Sequence, residues 1–217
     1  MDNEKEYQSA ERDFISFVQR TKGTDAAERA SNAATLAEIE GLKQLAVQGK
    51  MKQAIDWIQN FLDSDGKLVV FAVHKFVIDA LMTHFGTQLA VKIDGSTPMA
   101  DRQRAVDVFQ HNPECRLFIG NIQAAGIGIT LTTASNVVFL ELPWQPGALV
   151  QAEDRCHRIG QKDSVNIYYL LATDTIEEKI AQLLDRKRKI LDAVLDGKET
   201  DQESLLSELM NEYKNIV

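Results

Sequence analysis

The chain has 217 residues, of which 44% are apolar, so it can bury one sizeable hydrophobic core, and its formal net charge is -8. This acidic balance argues against a protein whose whole surface binds a polyanion, because non-specific affinity for nucleic acid comes from many lysine and arginine contacts. Any contact with nucleic acid is therefore expected to be local.

Metal, disulfide and membrane signals are missing from the sequence. Cys115 and Cys156 lie far apart, and neither they nor the histidines have metal-ligand spacing, so no metal site is expected. No apolar run approaches the roughly 20 residues of a membrane span, and the acidic, polar N-terminus is unlike a signal peptide. These features are typical of a reduced, soluble, cytoplasmic protein.

The first part of the chain has a helical pattern with no chemistry of its own. Apolar residues recur at helical spacing over residues 14–18 and 36–45, and Thr21-Lys-Gly-Thr24 between them predicts a break. We expect two helices within residues 4–47, packed on something outside the core or on a missing neighbour. A third helix is predicted over residues 50–63. Residues 1–49 before it are predicted to form a helical extension.

From residue 68 onward, short apolar runs alternate with helical patterns. This alternation predicts an α/β fold, in which a parallel sheet carries helices on both faces. The predicted strands cover residues 68–72, 91–93, 116–120, 136–140 and 166–171, and the predicted helices cover residues 74–85, 98–110, 151–158 and 174–195.

Two of these helices have recognisable start signals. Thr97 is predicted to be the N-cap of the helix over residues 98–110, with Pro98 at the first helical position. Asp174 is predicted to cap the last long helix, with Glu177 three residues further on.

Unusual residues follow four of the predicted strands. They are His74-Lys75, Asp94-Gly-Ser96, residues 121–128 and Pro143-Trp-Gln-Pro146. A solvated loop would explain any one of them. Because ligands of parallel α/β folds bind at the carboxyl ends of the strands, four such loops at one edge predict a functional site.

Two of these loops have a pattern suited to phosphate. Ala124-Ala-Gly-Ile-Gly-Ile-Thr130 would let backbone amides approach a phosphate or ribose closely, although a tight strand-to-helix turn needs the same glycines. Asp94-Gly-Ser-Thr97 could hold a backbone phosphate through hydroxyls and amides at the positive end of a helix. Simple capping of that helix is the alternative.

A pair of arginines stands out after the fourth strand. If the segment is helical, Gln151, Arg155 and Arg158 project from one face. Two neighbouring guanidiniums repel each other unless an anion lies opposite, and the planar guanidinium suits a phosphate. The alternative is a solvated surface helix in which Glu153 and Asp154 form local ion pairs.

Five segments of the sequence form an ordered set. They are Leu68-Val-Val-Phe-Ala72, Ile93-Asp-Gly-Ser-Thr97, Gly126-Ile-Gly-Ile-Thr-Leu131, Asn136-Val-Val-Phe139 with Trp144-Gln-Pro-Gly147, and Gln151-Ala-Glu-Asp-Arg-Cys-His-Arg-Ile-Gly-Gln161. In combination they resemble the second RecA-like lobe of the SWI/SNF-type helicase-like ATPases, within helicase superfamily two, and the resemblance covers roughly residues 50–195. Gln123-Ala-Ala-Gly126 departs from the family's usual Arg-Ala-Gly-Gly and is closer to the annealing-helicase branch and its bacterial relatives.

The resemblance implies a nucleotide-facing set of residues. Arg158 would be the arginine finger that reaches the γ-phosphate of ATP, with Arg155 beside it, and both would be catalytic. Gln151 would position the nucleotide or the attacking water. Gly126 and Gly128 would border the nucleotide at the interface between two lobes.

It also implies a face for DNA. The residues expected to face the backbone of duplex DNA are His74, Lys75, Gly95, Ser96 and Thr130, although Thr130 would serve equally as a cap after a glycine turn. The helix over residues 174–195 would be a brace across the lobes. The protein would then be intracellular and associated with DNA rather than with a membrane.

No Gly-x-x-x-x-Gly-Lys-Ser/Thr segment and no Walker B Asp-Glu pair occur in the sequence. ATP and Mg²⁺ are therefore expected only in a complete two-lobe hydrolase, whose first RecA-like lobe belongs to the same longer polypeptide. Alone, this chain is expected to bind no cofactor and to be inactive, with parts at residues 1–49, 50–172 and 173–217. The alternative is a non-catalytic α/β module that binds protein or nucleic acid and has kept the fold.

Overall fold

A computed structural model describes residues 1–20, 25–64, 66–125, 129–143, 146–153, 164–193, 207–210 and 213. The chain divides into two compact units. The helical unit consists of Met1–Lys50 with Ala172–Val217, and the sheet unit is Met51–Leu171. The two end segments, predicted as separate parts, thus lie in one unit.

The regular elements alternate through the sheet unit as the sequence predicts. None of the helices in the described ranges is both long enough and apolar enough to cross a membrane. The helices are α1 (Glu4–Arg20), α2 (Asp25–Ser64), α3 (Lys75–Leu89), α4 (Met99–His111), α5 (Ile122–Ala125), α6 (Pro146–Glu153) and α7 (Ile176–Ala193), and the strands are β1 (Leu68–Ala72), β2 (Ala90–Ile93), β3 (Leu117–Asn121), β4 (Asn136–Phe139) and β5 (Asn166–Tyr169).

The described strands form one sheet of five, in the order β2-β3-β1-β4-β5, with every neighbouring pair parallel. Val70 in the central strand lies level with Ile119 on one side and Val138 on the other. All five residues of β1 are buried. A central parallel strand is covered on both faces, which explains why β1 reads as an unbroken apolar run.

The direction of the crossovers changes at the centre of the sheet. The connection from β1 passes through α3 to β2, whereas the connection from β4 passes through α6 to β5 on the opposite side. Because parallel crossovers are right-handed, these two connections cover opposite faces, and the carboxyl ends of β1 and β4 form the topological switch point of the sheet. The predicted RecA-like α/β fold is confirmed.

The prediction of separate second and third helices is wrong, since α2 is one helix of 40 residues. Its Gly49 supports close packing instead of a break. The Asn3 side chain occupies the place that a Cβ on Gly49 would take, and the Asp2 N–H donates to the Gly49 carbonyl at 2.9 Å. The missing side chain therefore lets the N-terminal residues lie against the helix.

The N-terminal helices were expected to pack on something outside the core or on a missing neighbour, and they pack within the helical unit of this chain. Tyr7, Phe14 and Ile39 are buried within the helical unit. The Tyr7 hydroxyl accepts a hydrogen bond from the Ile176 N–H at 2.6 Å, and the Phe14 ring meets the Tyr213 ring edge-on at 5.0 Å. The partner of these helices is the C-terminal segment of the same chain.

Both predicted N-caps are wrong, because each helix begins one residue later than a cap at Thr97 or Asp174 would require. Pro98 is the N-cap of α4, and the Thr97 hydroxyl accepts the Asp94 N–H at 2.9 Å instead. Asp174 has a left-handed φ of 58° and lies before the true start of α7. Thr175 takes the capping place, and its hydroxyl accepts the Glu177 N–H at 3.2 Å.

Candidate functional site

The loops singled out in the sequence lie side by side at the carboxyl edge of the sheet. Since neighbouring strands are about 4.8 Å apart, the loop after β1 lies about 10 Å from the loop after β2, with β3 between them. The parallel topology therefore brings His74 and Lys75 to the same edge as Gly95 and Ser96.

A buried carboxylate closes the switch point between β1 and β4. Glu141, which follows β4, accepts the N–H groups of Val73 at 2.9 Å and His74 at 2.8 Å, and its other oxygen contacts His74 Nδ1. Burial favours the neutral acid, but the hydrogen bonds from the His74 ring and the two amides outweigh it. The pKa of Glu141 consequently lies below its usual range.

Glu141 fills a position that binds anionic ligands in other α/β folds. Backbone amides at the start of a helix beside a switch point commonly hold phosphate, and here the carboxylate of Glu141 takes amides at the start of α3. His74 is consequently held inward, with a side chain that is 14% exposed, whereas Lys75 is 61% exposed. Of these two predicted DNA contacts, Lys75 is the more exposed to solvent.

The loop after β2 is closed by its own hydrogen bonds. Asp94 Oδ1 accepts the Ser96 N–H at 2.8 Å and the Ser96 hydroxyl at 2.6 Å. Burial raises the pKa of the Asp94 carboxyl, but the bonds from Ser96 and the ammonium of Lys92 outweigh this effect and hold the pKa well below its usual range. The Ser96 hydroxyl therefore already donates to Asp94, and Pro98 instead of Ser96 is the N-cap of α4.

Gly95 in this loop is exposed and leaves room for a ligand. A Cβ added to Gly95 would meet no atom of the chain within 4 Å. The packing of the chain therefore does not require glycine here. A ligand backbone that approaches the loop closely would require it.

Four charged side chains connect the loops after β1 and β2, and we name them the edge ion array: Lys75, Asp79, Lys92 and Asp94. Asp79 Oδ2 lies 2.6 Å from Lys75 Nζ and Asp79 Oδ1 lies 2.7 Å from Lys92 Nζ. Lys92 Nζ also lies 3.1 Å from Asp94 Oδ2. Hydrogen bonds from Lys75 and then Lys92 lower the pKa of Asp79, and the bond to Asp79 raises the pKa of Lys92.

The loop after β3 is tied to its neighbours by Asn121 and Arg102. Asn121 Nδ2 donates to the Val73 carbonyl at 2.7 Å, and its Oδ1 accepts the Ala124 N–H at 3.1 Å. Arg102 donates from Nε to the Thr97 carbonyl at 3.0 Å and from Nη1 to the Ala124 carbonyl at 3.2 Å. These two side chains fix the three loops relative to one another.

Thr130 lies further along the same segment and is half-buried. Its carbonyl accepts a hydrogen bond from Gln110 Nε2 at 2.8 Å, and Gln110 Oε1 accepts the Thr133 N–H at 3.1 Å. Helix α4 thus holds this part of the chain in place through one glutamine side chain.

The predicted nucleotide-facing residues are described only in part. Gln151 is exposed near the C-terminal end of α6, which begins earlier than predicted, at Pro146. Gly126, Gly128, Arg155 and Arg158 lie outside the described residues. Among the residues that are described, no three His, Cys, Asp or Glu side chains cluster so that they could hold a metal ion.

Sequence reasoning did not single out Glu141, Asp79 or Arg102, and it included Asn121 only as part of the loop over residues 121–128. Glu141 has a recognisable signal, because it is a carboxylate in an otherwise apolar run directly after a buried strand. Asn121 ends its strand just before a helix, where asparagine commonly caps backbone amides. Asp79 has a partial local signal, because Lys75 lies four residues earlier on the same helix. Its contact with Lys92 and the contact of Arg102 with Ala124 are set by the fold.

Comparison with known proteins agrees with this architecture. Residues 53–160 match the helicase conserved C-terminal domain. The mouse DNA annealing helicase and endonuclease ZRANB3 is 40% identical over 178 residues, which are 78% of this chain and 17% of that protein. The SWI/SNF-related matrix-associated actin-dependent regulator of chromatin subfamily A-like protein 1 of Xenopus tropicalis is 41% identical over 66% of this chain and 16% of its own length.

Solved structures agree as well. The C-terminal part of the Fun30 ATPase domain aligns with a TM-score of 0.62 and 30% identity, covering 78% of this chain and 55% of that one. The Sulfolobus solfataricus SWI2/SNF2 ATPase C-terminal domain has the same fold, with a TM-score of 0.70 and 20% identity over 98% of this chain and 90% of that one.

The chain spans only 17% and 16% of the two curated relatives described above. Within that span the family match, the sequence identity and the parallel sheet agree. The chain therefore belongs to the SWI/SNF-related helicase-like ATPases and corresponds to their C-terminal RecA-like lobe.

Proposed function

We propose that this chain is the C-terminal motor lobe of a DNA-dependent ATPase that translocates along duplex DNA. The match of residues 53–160 to a helicase C-terminal domain carries this proposal, because the matched range includes both Arg155 and Arg158. The complete protein would contain a first RecA-like lobe, supplied by the same longer polypeptide, which holds ATP and Mg²⁺.

The switch point supports a division of labour between two lobes. In this lobe Glu141 already takes the amides at which a parallel α/β fold would hold a phosphate. A phosphate group would have to displace a buried carboxylate that makes several hydrogen bonds, which is unfavourable. Phosphate binding is therefore better assigned to the companion lobe.

The segment over residues 151–161 fits the other half of such a site by the chemistry of its side chains. Arg158 would deliver positive charge to the transferring phosphoryl group, Arg155 would add to it, and Gln151 would orient the nucleotide or the attacking water. Hydrolysis of ATP would drive movement along the DNA. An arginine finger contributes about 10³ to 10⁵ in rate, so most of the turnover would depend on Arg158.

The carboxyl edge of the sheet would grip the DNA backbone. Lys75 is exposed, and a Cβ on Gly95 would meet no atom of the chain, which suits contact with phosphates and not with bases. His74, Ser96 and Thr130 would complete this surface as supports, because their polar groups already bond within the chain. Closure of the two lobes would then couple binding of the DNA backbone to assembly of the nucleotide site.

The decisive experiment joins this chain to a first lobe that carries a phosphate loop and replaces Arg158 by Ala. Hydrolysis is expected to fall by about three orders of magnitude or more, with an unchanged thermal unfolding midpoint. Arg104→Ala is the matched control, because Arg104 is 77% exposed and pairs with Asp101 on its own helix. Unchanged turnover in Arg158→Ala would favour a non-catalytic interaction module with a retained fold.

A further inference from the structure

Asp79 lies at the centre of the edge ion array and holds one ammonium group on each of its oxygens. Lys75 Nζ is 2.6 Å from one oxygen and Lys92 Nζ is 2.7 Å from the other. Lys92 in turn reaches Asp94, which fixes the loop that carries Gly95. The array therefore has two positive and two negative charges.

The two ends of the array differ in exposure. The side chains of Lys75 and Asp79 are 61% and 45% exposed, whereas Asp94 is 3% exposed. Exposed ion pairs are weak, because water screens the charges and two long side chains must be ordered. The bond between Lys75 and Asp79 can consequently open without disturbing the buried end of the array.

DNA phosphates would compete with Asp79 for the same ammonium group. A phosphate that meets Lys75 must draw it away from the Asp79 carboxylate and then lies near that negative charge. Both effects weaken binding, and they act within about 10 Å, the distance over which charges interact at moderate salt. In a chain with a net charge of -8, one carboxylate at the binding edge matters more than one elsewhere.

We propose that Asp79 is an internal counter-ion that competes with DNA phosphates for Lys75 and thereby limits the affinity of this lobe for duplex DNA. The inference rests on the proposed DNA-binding function of the carboxyl edge. Asp79 would lower the affinity of the lobe for duplex DNA, so that the lobe can release the DNA backbone as readily as it binds it. The pair of the half-buried Lys92 with the buried Asp94 keeps the neighbouring loop in place while Lys75 changes partner.

The test measures binding of the 217-residue chain to a labelled DNA duplex by fluorescence anisotropy, for the wild type and for Asp79→Asn. Affinity is expected to rise about threefold to tenfold at low salt, because the competing charge is gone, and the gain is expected to shrink as salt is raised. Asp56→Asn is the matched control, since Asp56 also pairs with a lysine four residues away, at 3.3 Å, and loses the same charge.

A second pair of variants tests whether the gain acts through Lys75. In a Lys75→Ala background, Asp79→Asn is expected to give no more gain than Asp56→Asn, while circular dichroism confirms folding of every variant. Equal gains for Asp79→Asn and Asp56→Asn in the wild-type background, a loss of affinity, or a gain that persists without Lys75 would each overturn the role of Asp79.

The same titrations separate failure of this inference from failure of the proposed function. Wild-type binding that Lys75→Ala abolishes, with Asp79→Asn no different from Asp56→Asn, would remove the inference and leave the DNA-binding edge standing. If neither the wild type nor Asp79→Asn binds the duplex even at low salt, both the inference and the DNA contact at this edge are wrong.

Discussion

The two units of the molecule use buried charge in different ways. In the helical unit, Lys50 and Glu177 form an ion pair of 2.6 Å between residues 127 positions apart, and both side chains are at most 8% exposed. In the sheet unit, the core strands are apolar, and Glu141 bonds to a loop at the edge of the sheet. The helical unit therefore depends on a buried polar contact within its core, whereas the sheet unit uses one to order its functional edge.

Replacing Glu177 by Ala should give the largest loss of stability. It removes both oxygens that Lys50 Nζ contacts, at 2.6 and 2.7 Å, and the acceptor of the Ala172 N–H at 2.8 Å. Breaking a buried ion pair from one side costs about 3–5 kcal/mol, because the remaining charge stays in a poorly solvated place. Urea-induced unfolding measures the loss.

The control for this variant is Asp56→Ala. Asp56 pairs with Lys52 at 3.3 Å, but these side chains are 61% and 73% exposed, so the expected loss is below about 1 kcal/mol. Similar losses for Glu177→Ala and Asp56→Ala would show that burial does not distinguish the two pairs.

A smaller effect is expected for Glu141→Gln, at about 1–3 kcal/mol, since the backbone amides of Val73 and His74 keep one oxygen acceptor. The pKa of Glu141 is lower in the folded chain than its ordinary value of about 4.3. Its stabilising contribution is therefore complete above the ordinary pKa and is lost as the pH falls through the lower folded pKa. The variant should lack this acid-dependent part of the unfolding free energy.

The measurement is the free energy of unfolding in urea at several pH values between neutral and strongly acidic. Glu114→Gln, a change of the same chemistry at an exposed loop position, should change stability by no more than about 0.5 kcal/mol. If the curves of Glu141→Gln and wild type run parallel through the acid range, the carboxylate does not hold the loop as the geometry indicates.

The sheet was predictable because its signal is local. Residues 68–72 form an unbroken apolar run, and the predicted strand coincides with β1 residue for residue. The helical unit was not predictable in the same way, because its packing depends on distant pairs such as Tyr7 with Ile176. The two N-cap predictions were each wrong by one residue. The Thr97 hydroxyl accepts the Asp94 N–H within its own loop, and Asp174 has a left-handed φ.

The candidate site was predictable at the level of loops and not of individual contacts. The sequence identified the loops containing Lys75 and Gly95, and the parallel topology places both at one edge. It did not identify Asp79 as the partner of Lys92, because β2 approaches α3 only in the folded sheet. The pair of Asp79 with Lys75 lies within one helix, and its spacing of four residues is visible in the sequence. The roles of Arg155 and Arg158 remain predictions, since both lie outside the described residues.

We propose that this chain completes a nucleotide site whose phosphates are held by another lobe. Calorimetric titration of ATP with Mg²⁺ tests it directly, using the 217-residue chain and the same chain joined to a first lobe with a phosphate loop. The joined protein is predicted to bind ATP with micromolar affinity, and the chain alone is predicted to give no saturable heat. Micromolar binding by the chain alone would contradict the claim.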